Sequence, residues 1–112
     1  MALSKEVVDN VYEAIEIARS TGKIRKGANE VTKVLEKGDA KLVVIAADTS
    51  PKEIVMHLPI LSQEKGVTCV EVPSKNDLGA AAGLEVGTAS IAITLEGEAK
   101  NLISDIIAKS KQ

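Results

Sequence analysis

The run Leu42-Val43-Val44-Ile45-Ala46-Ala47 constrains the fold of this chain more than any other segment. It is continuously apolar and rich in β-branched residues. A strand with one face in water alternates polar and apolar residues; this one does not, so it needs cover on both faces. The rest of the sequence supplies that cover. Val7, Val8, Val11, Ala14, Ile15 and Ala18 recur at helical spacing after Ser4, a suitable N-cap, and Gly22 is placed to end that helix. Lys23–Lys26 is either a short strand or an extended lead-in. Val31, Val34 and Leu35 mark a short amphipathic helix running from Ala28 to Gly38. Ser50-Pro51-Lys52-Glu53 reads as a capping box opening a helix with Ile54, Val55, Leu58 and Leu61, kinked at Pro59 and ended by Gly66. Val67–Val72 is a second strand. Ser74 and Asp77 cap a short helix to about Ala82, and Ala89–Leu95 is a third strand after the loop Gly83–Gly87. Glu98–Lys109 closes the chain as a helix with lysine at its end, and Ser110–Gln112 is expected to fray.

Helix and strand therefore alternate, which predicts an α/β/α sandwich with a small, at least partly parallel sheet. At 112 residues the chain has room for one such domain, residues 1–112. The longest uncharged stretches, such as Val86–Leu95, fall far short of the ~18 apolar residues of a membrane span. With no signal-peptide pattern at its start, the chain is expected in the cytoplasm.

Composition removes several kinds of chemistry. Cys69 and His57 are the sole cysteine and histidine, so a Cys/His zinc cluster is excluded. Nothing in the sequence sets a nucleophile or carboxylate beside His57, which reads as structural or merely exposed. Cys69, mid-strand, reads as a small buried hydrophobe. There is no GxxxxGK[ST] and no GxGxxG; Gly79, Gly83 and Gly87 fit a short helix and a turn better than a phosphate cradle. No catalytic residue, metal ligand or cofactor is expected.

With no Trp, no Phe and one tyrosine, Tyr12, the chain lacks the platforms of a base-stacking domain. Its net charge of −2 is also wrong for a bulk-electrostatic nucleic-acid binder. The charge is uneven, however. Residues 1–18 carry −3, residues 19–41 carry +4 and residues 42–112 carry −3. The basic segment contains Gly27-Ala28-Asn29-Glu30-Val31-Thr32-Lys33. A helix starting near Ala28 sets Asn29 and Glu30 in its first turn with Lys33 beside them. Those three side chains can address base edges, and Arg25 and Lys26 can meet phosphates. From spacing alone, helix capping with an ordinary Glu–Lys pair is the better reading. Leu84 and Val86, flanking Glu85, either cover an unstacked base or tuck into the end of the sheet.

Taken together, Gly27-Ala28-Asn29-Glu30 with Lys33, Ala46-Ala47-Asp48, Pro51 through Glu53-Ile54, His57-Leu58-Pro59-Ile60-Leu61, Ser74-Lys75-Asn76-Asp77-Leu78-Gly79 and Leu84-Glu85-Val86 strongly resemble the archaeal ribosomal protein L7Ae family of kink-turn RNA binders. The resemblance covers nearly the whole chain and overturns the capping reading of Asn29 and Glu30. It implies a four-stranded mixed sheet, with Lys23–Lys26 a true strand. It implies that Asn29, Glu30 and Lys33 read the guanines of tandem sheared G·A pairs. Arg25, Lys26 and Gly27 then approach the RNA backbone, Lys75 contacts RNA from the neighbouring loop, and Ile54 with Leu84, Glu85 and Val86 covers the nucleotide extruded at the bend. The Leu-Glu-Val loop resembles archaeal members. Ser50 stands where family members often carry an acid, and Ala80 where they often carry Arg. The implied partners are ribosomal RNA, guide RNA and RNase P RNA, with fibrillarin and a Nop-type protein reached through the guide particle; the free protein is expected to be a monomer. A small α/β ligand-binding or enzymatic subunit is the alternative, on fold class alone.

Overall fold

The computed structural model describes residues 4–49 and 55–110. The elements run α1 (Lys5–Thr21), β1 (Lys23–Lys26), α2 (Ala28–Lys37), β2 (Leu42–Ala46), α3 (His57–Glu64), β3 (Thr68–Val72), α4 (Lys75–Ala81), β4 (Ser90–Leu95) and, after a 3-10 turn at Gly97–Ala99, α5 (Lys100–Ser110). The strands form one mixed sheet in the order β1-β4-β2-β3. β2 and β3 are parallel, while β4 is antiparallel to both β1 and β2. Lys23–Lys26 is thus an edge strand.

All five residues of β2 are buried, and they divide between two cores. Leu42, Val44 and Ala46 join Val70, Val72, Ile91 and Ile93 beneath α1, α4 and α5, where Val11, Ile15, Leu78, Ile103 and Ile106 meet them. Val43, Ile45 and Ala92 face the other way, against Val31, Val34 and Leu35 of α2 and Leu58 of α3. The period-2 alternation of the strand delivers one apolar set to each helical layer. This is the expected three-layer sandwich.

Some boundaries differ from the sequence reading. Glu98 lies in the 3-10 turn, and α5 starts at Lys100; Ser110 is its last helical residue. The turn is held by a distant partner, since the Glu98 N–H donates to Thr21 Oγ1 at 2.9 Å. Pro59 sits in the first turn of α3 as described, where a missing N–H removes no bond of the helix and no kink is required. The capping box at Ser50–Glu53 lies outside the described residues, as do Ile54, Lys111 and Gln112.

Candidate nucleic-acid interface

Four chain segments meet at one end of the sheet, and backbone hydrogen bonds tie them together. The Gly27 N–H donates to the Ser90 carbonyl at 3.0 Å, fixing the start of α2 to the start of β4. The Ala46 N–H donates to Ala89 at 2.9 Å, and the Ala47 N–H to Val72 at 2.8 Å. The Lys75 N–H donates to the Asp48 carboxylate at 2.8 Å, and the Lys75 carbonyl accepts from the Thr88 N–H at 3.1 Å. The end of β2, the start of α4, the loop before β4 and the first turn of α2 thereby form one continuous rim.

Gly27 makes the entry to α2 possible. Its φ of 91° and ψ of 150° lie in a region essentially reserved for glycine. As the N-cap it provides no side-chain hydrogen bond. Asn29 and Glu30 are therefore inside the helix and exposed, rather than capping it. Among the described residues no hydrogen bond occupies the Asn29 amide. Glu30 and Lys33 approach only to 4.0 Å, with side chains 52% and 66% exposed, a contact of little energetic weight. Asn29 thus presents an unengaged donor and acceptor, Glu30 an acceptor, and Lys33 an exposed cation, all close to one helical turn.

The remaining sequence-predicted site residues separate. Lys26 is exposed at the end of β1 beside Gly27. Lys75 is half-buried, clamped by its own backbone. Glu85 is exposed and Val86 is 71% exposed. Leu84, by contrast, is partly buried against the core beneath α1 and α4. Arg25 turns away from this rim. It lines an open cleft of about 380 Å³ with Val34, Lys37, Gly38, Asp39, Lys41, Thr94 and Leu95, at the opposite end of α2. Ile54 falls outside the described residues.

Two supports were invisible in sequence. His57 Nε2 lies 2.8 Å from the Thr32 hydroxyl, which in turn donates to the Ala28 carbonyl at 2.7 Å. With that single hydroxyl proton committed, Nε2 is the donor, and α3 is braced against the first turn of α2. Asp48 is the other support, joined to Lys75 across 27 positions. Nearby, the Tyr12 phenol is held above its usual pKa by burial, with the Asp77 carboxylate next in weight. On the face of the sheet opposite Tyr12, burial pushes the Cys69 thiol up to about 11, the Ser62 hydroxyl opposing and Glu71 adding to the rise. Among the described residues no group of three or more His, Cys, Asp or Glu side chains is placed to hold a metal ion, and no helix is long and apolar enough to cross a membrane.

Comparison with known proteins adds to this geometry. The solved Giardia lamblia 15.5kD RNA binding protein is similar in fold, with a TM-score of 0.93 and 35% identity, covering 98% of this chain and 92% of that one. The large ribosomal subunit protein eL8 of Haloquadratum walsbyi is 50% identical over 107 residues, 96% of this chain and 89% of that protein. A family model spans residues 9–103, from α1 through α5 and across every segment of the rim. Sequence, overall fold and coverage agree, and the chain belongs to the Ribosomal protein L7Ae/L30e/S12e/Gadd45 family.

Proposed function

We propose that this protein binds and stabilises kink-turn RNA carrying tandem sheared G·A pairs, as a scaffold and not as a catalyst. The observation that carries the reading is the first turn of α2. A glycine N-cap leaves the polar side chains of Asn29 and Glu30 exposed and uncommitted. A carboxylate on an RNA-facing surface repels phosphate unless a hydrogen-bond donor engages it, and Glu30, with Lys33 no nearer than 4.0 Å, is free to take that donor from a base N–H. Support also comes from relatives: one is named as a large-subunit ribosomal protein and another as an RNA-binding protein.

The mechanism is a shift of population. A kink-turn without protein or metal ions spends part of its time extended. A protein that binds only the bent form shifts that balance by its differential affinity for the two forms. Asn29, Glu30 and Lys33 address the guanine edges, Lys26 and Gly27 lie along the backbone, Lys75 contacts RNA from the neighbouring loop, and Ile54 with the Leu84–Val86 loop covers the extruded nucleotide. Bent RNA then offers a fixed platform for other proteins. The same activity serves the ribosome, the box C/D and H/ACA guide particles and RNase P, with fibrillarin and a Nop-type protein as partners through the guide RNA. The free protein is a cytoplasmic monomer in this reading.

The test is titration with a kink-turn RNA and with the same RNA whose G·A pairs are changed to Watson–Crick pairs. Losing two edge-read pairs is expected to weaken binding by ~30-fold or more, at ~1–3 kcal/mol for each. Equal affinity for both RNAs would refute the reading.

A further inference from the structure

Asp48 stands at the end of β2, exposed, at the rim proposed to face RNA. By charge alone it is in the wrong place, since a carboxylate there opposes phosphate. Its geometry gives it another task. Asp48 Oδ1 accepts from the Lys75 N–H at 2.8 Å, a charge-assisted bond stronger than a neutral one. The carbonyl of the same Lys75 accepts from the Thr88 N–H at 3.1 Å. The loop before β4 is packed so closely on Lys75 that a Cβ on Gly87 would lie 3.0 Å from Lys75 Cγ. Lys75 is thus held from two sides, by β2 through Asp48 and by the loop carrying Glu85 and Val86.

We infer that Asp48 is a positioning residue for RNA recognition: through its acceptor oxygen it sets Lys75 and the Leu84–Val86 loop relative to the first turn of α2. Residue 48 itself touches no RNA in this arrangement. The inference rests on the kink-turn reading for its consequence, while the clamp itself belongs to the free protein.

Acceptor and charge are separable by substitution. Asp48→Asn keeps an oxygen at the same reach and removes the charge. Asp48→Ala removes both. Electrostatics alone predicts that both variants bind RNA as well as the parent or better. The clamp predicts that they diverge. The expected result is kink-turn affinity within about twofold of the parent, or tighter, for Asp48→Asn, and a loss on the order of tenfold for Asp48→Ala. In the free protein, hydrogen exchange at the Lys75 amide is expected to accelerate in Asp48→Ala and to stay near the parent rate in Asp48→Asn. If Asp48→Ala folds poorly, Asp48→Ser, whose oxygen falls one bond short of Lys75, takes its place. Equal affinity of the acceptor-keeping and acceptor-lacking variants overturns the inference, as does unchanged Lys75 exchange. Loss of the fold in both Asp48→Ala and Asp48→Ser overturns it too, because Asp48 is then a residue of global stability. A parent protein that fails to distinguish the kink-turn from its Watson–Crick control instead overturns the functional reading, and leaves the exchange result to judge the clamp.

Discussion

Glu30 is the residue on which the functional reading is most exposed to refutation. Its carboxylate has no close partner, with Lys33 no nearer than 4.0 Å. Glu30→Ala is expected to leave folding intact and to weaken kink-turn binding by ~1–3 kcal/mol, by analogy with base-edge readout in DNA. Comparable isotherms for the variant and the parent would remove Glu30 from the interface. The pair Leu84 and Val86 tests a distinction that sequence left open. Val86 stands out from the loop while Leu84 is packed on the core. Val86→Ala is expected to weaken RNA binding at unchanged melting temperature. Leu84→Ala is expected to cost about 1–2 kcal/mol of stability, a half-buried version of a core truncation. Thermal melts and isotherms on both variants decide it; the reverse pattern would exchange their roles. Cys69 gives a pH test. Its thiol is raised to about 11 in the folded state against an ordinary value near 9. The folded chain holds that proton more tightly, so this contribution is fully present below pH 9 and lost as pH rises through about 11. Cys69→Ala is expected to flatten the fall in stability across that window, measured by denaturant melts at each pH, while native Cys69 alkylates slowly at pH 8. Prompt, complete alkylation of the folded protein would show an accessible thiolate instead.

At the level of elements, what could be read in advance follows from how local each signal is. α1 and α2 were legible because their caps lie next to them. Ser4 accepts from the Val7 N–H, and Gly38 closes α2 in the left-handed region. β2 was legible because only a doubly covered strand carries so unbroken an apolar run. β1 was legible only through the family resemblance and not from its own residues, because its one half-buried residue, Ile24, offers no alternation, and its existence depends on pairing with β4 some 70 residues later. The start of α5 shifted for the same reason, through the bond to Thr21. Of the candidate site, the segment 26–33 was legible in its residue types, but Asn29 needed the observed glycine cap before its side chain could be called free of helix duty. The turning away of Arg25 was not legible, since alternation assigns a face only once a strand is known to exist. Gly79 carries the prediction at this scale. A Cβ there would overlap the carbonyl oxygen of Val86 and crowd Gly87. Alanine favours a helix by about 1 kcal/mol over glycine, yet here it collides with backbone that has little freedom to yield. Gly79→Ala is therefore expected to displace the 84–87 loop, lower the melting temperature and reduce kink-turn affinity. A raised melting temperature with unaltered binding would mean that the loop moves without consequence.

Over the whole molecule, charge is arranged rather than abundant. Glu6, Asp9, Glu13 and Glu16 lie exposed on one outward face of α1, across the sheet from α2. The positive surplus is confined to residues 19–41. Attraction to any polyanion is then weak, and few phosphates are neutralised. About 3–5 released counterions would give a log–log salt slope of only a few units. Kink-turn binding is expected to survive a large excess of duplex competitor, measured by isotherms at several salt concentrations. A steep slope, or displacement by modest amounts of plain duplex, would assign the affinity to bulk electrostatics. The sheet order β1-β4-β2-β3 has a consequence for the making of the protein. The last strand in the chain, β4, is inserted between the first two. Until Ser90–Leu95 is translated, β1 has no neighbour to bond with, Gly27 has no Ser90 carbonyl to anchor it, and both helical layers lack half of the surface they close upon. The polar turn at Asn29 and Glu30 emerges early in synthesis but is not yet held in place. On the proposed function, the RNA-facing surface is therefore completed only once the last strand of the sheet has been made.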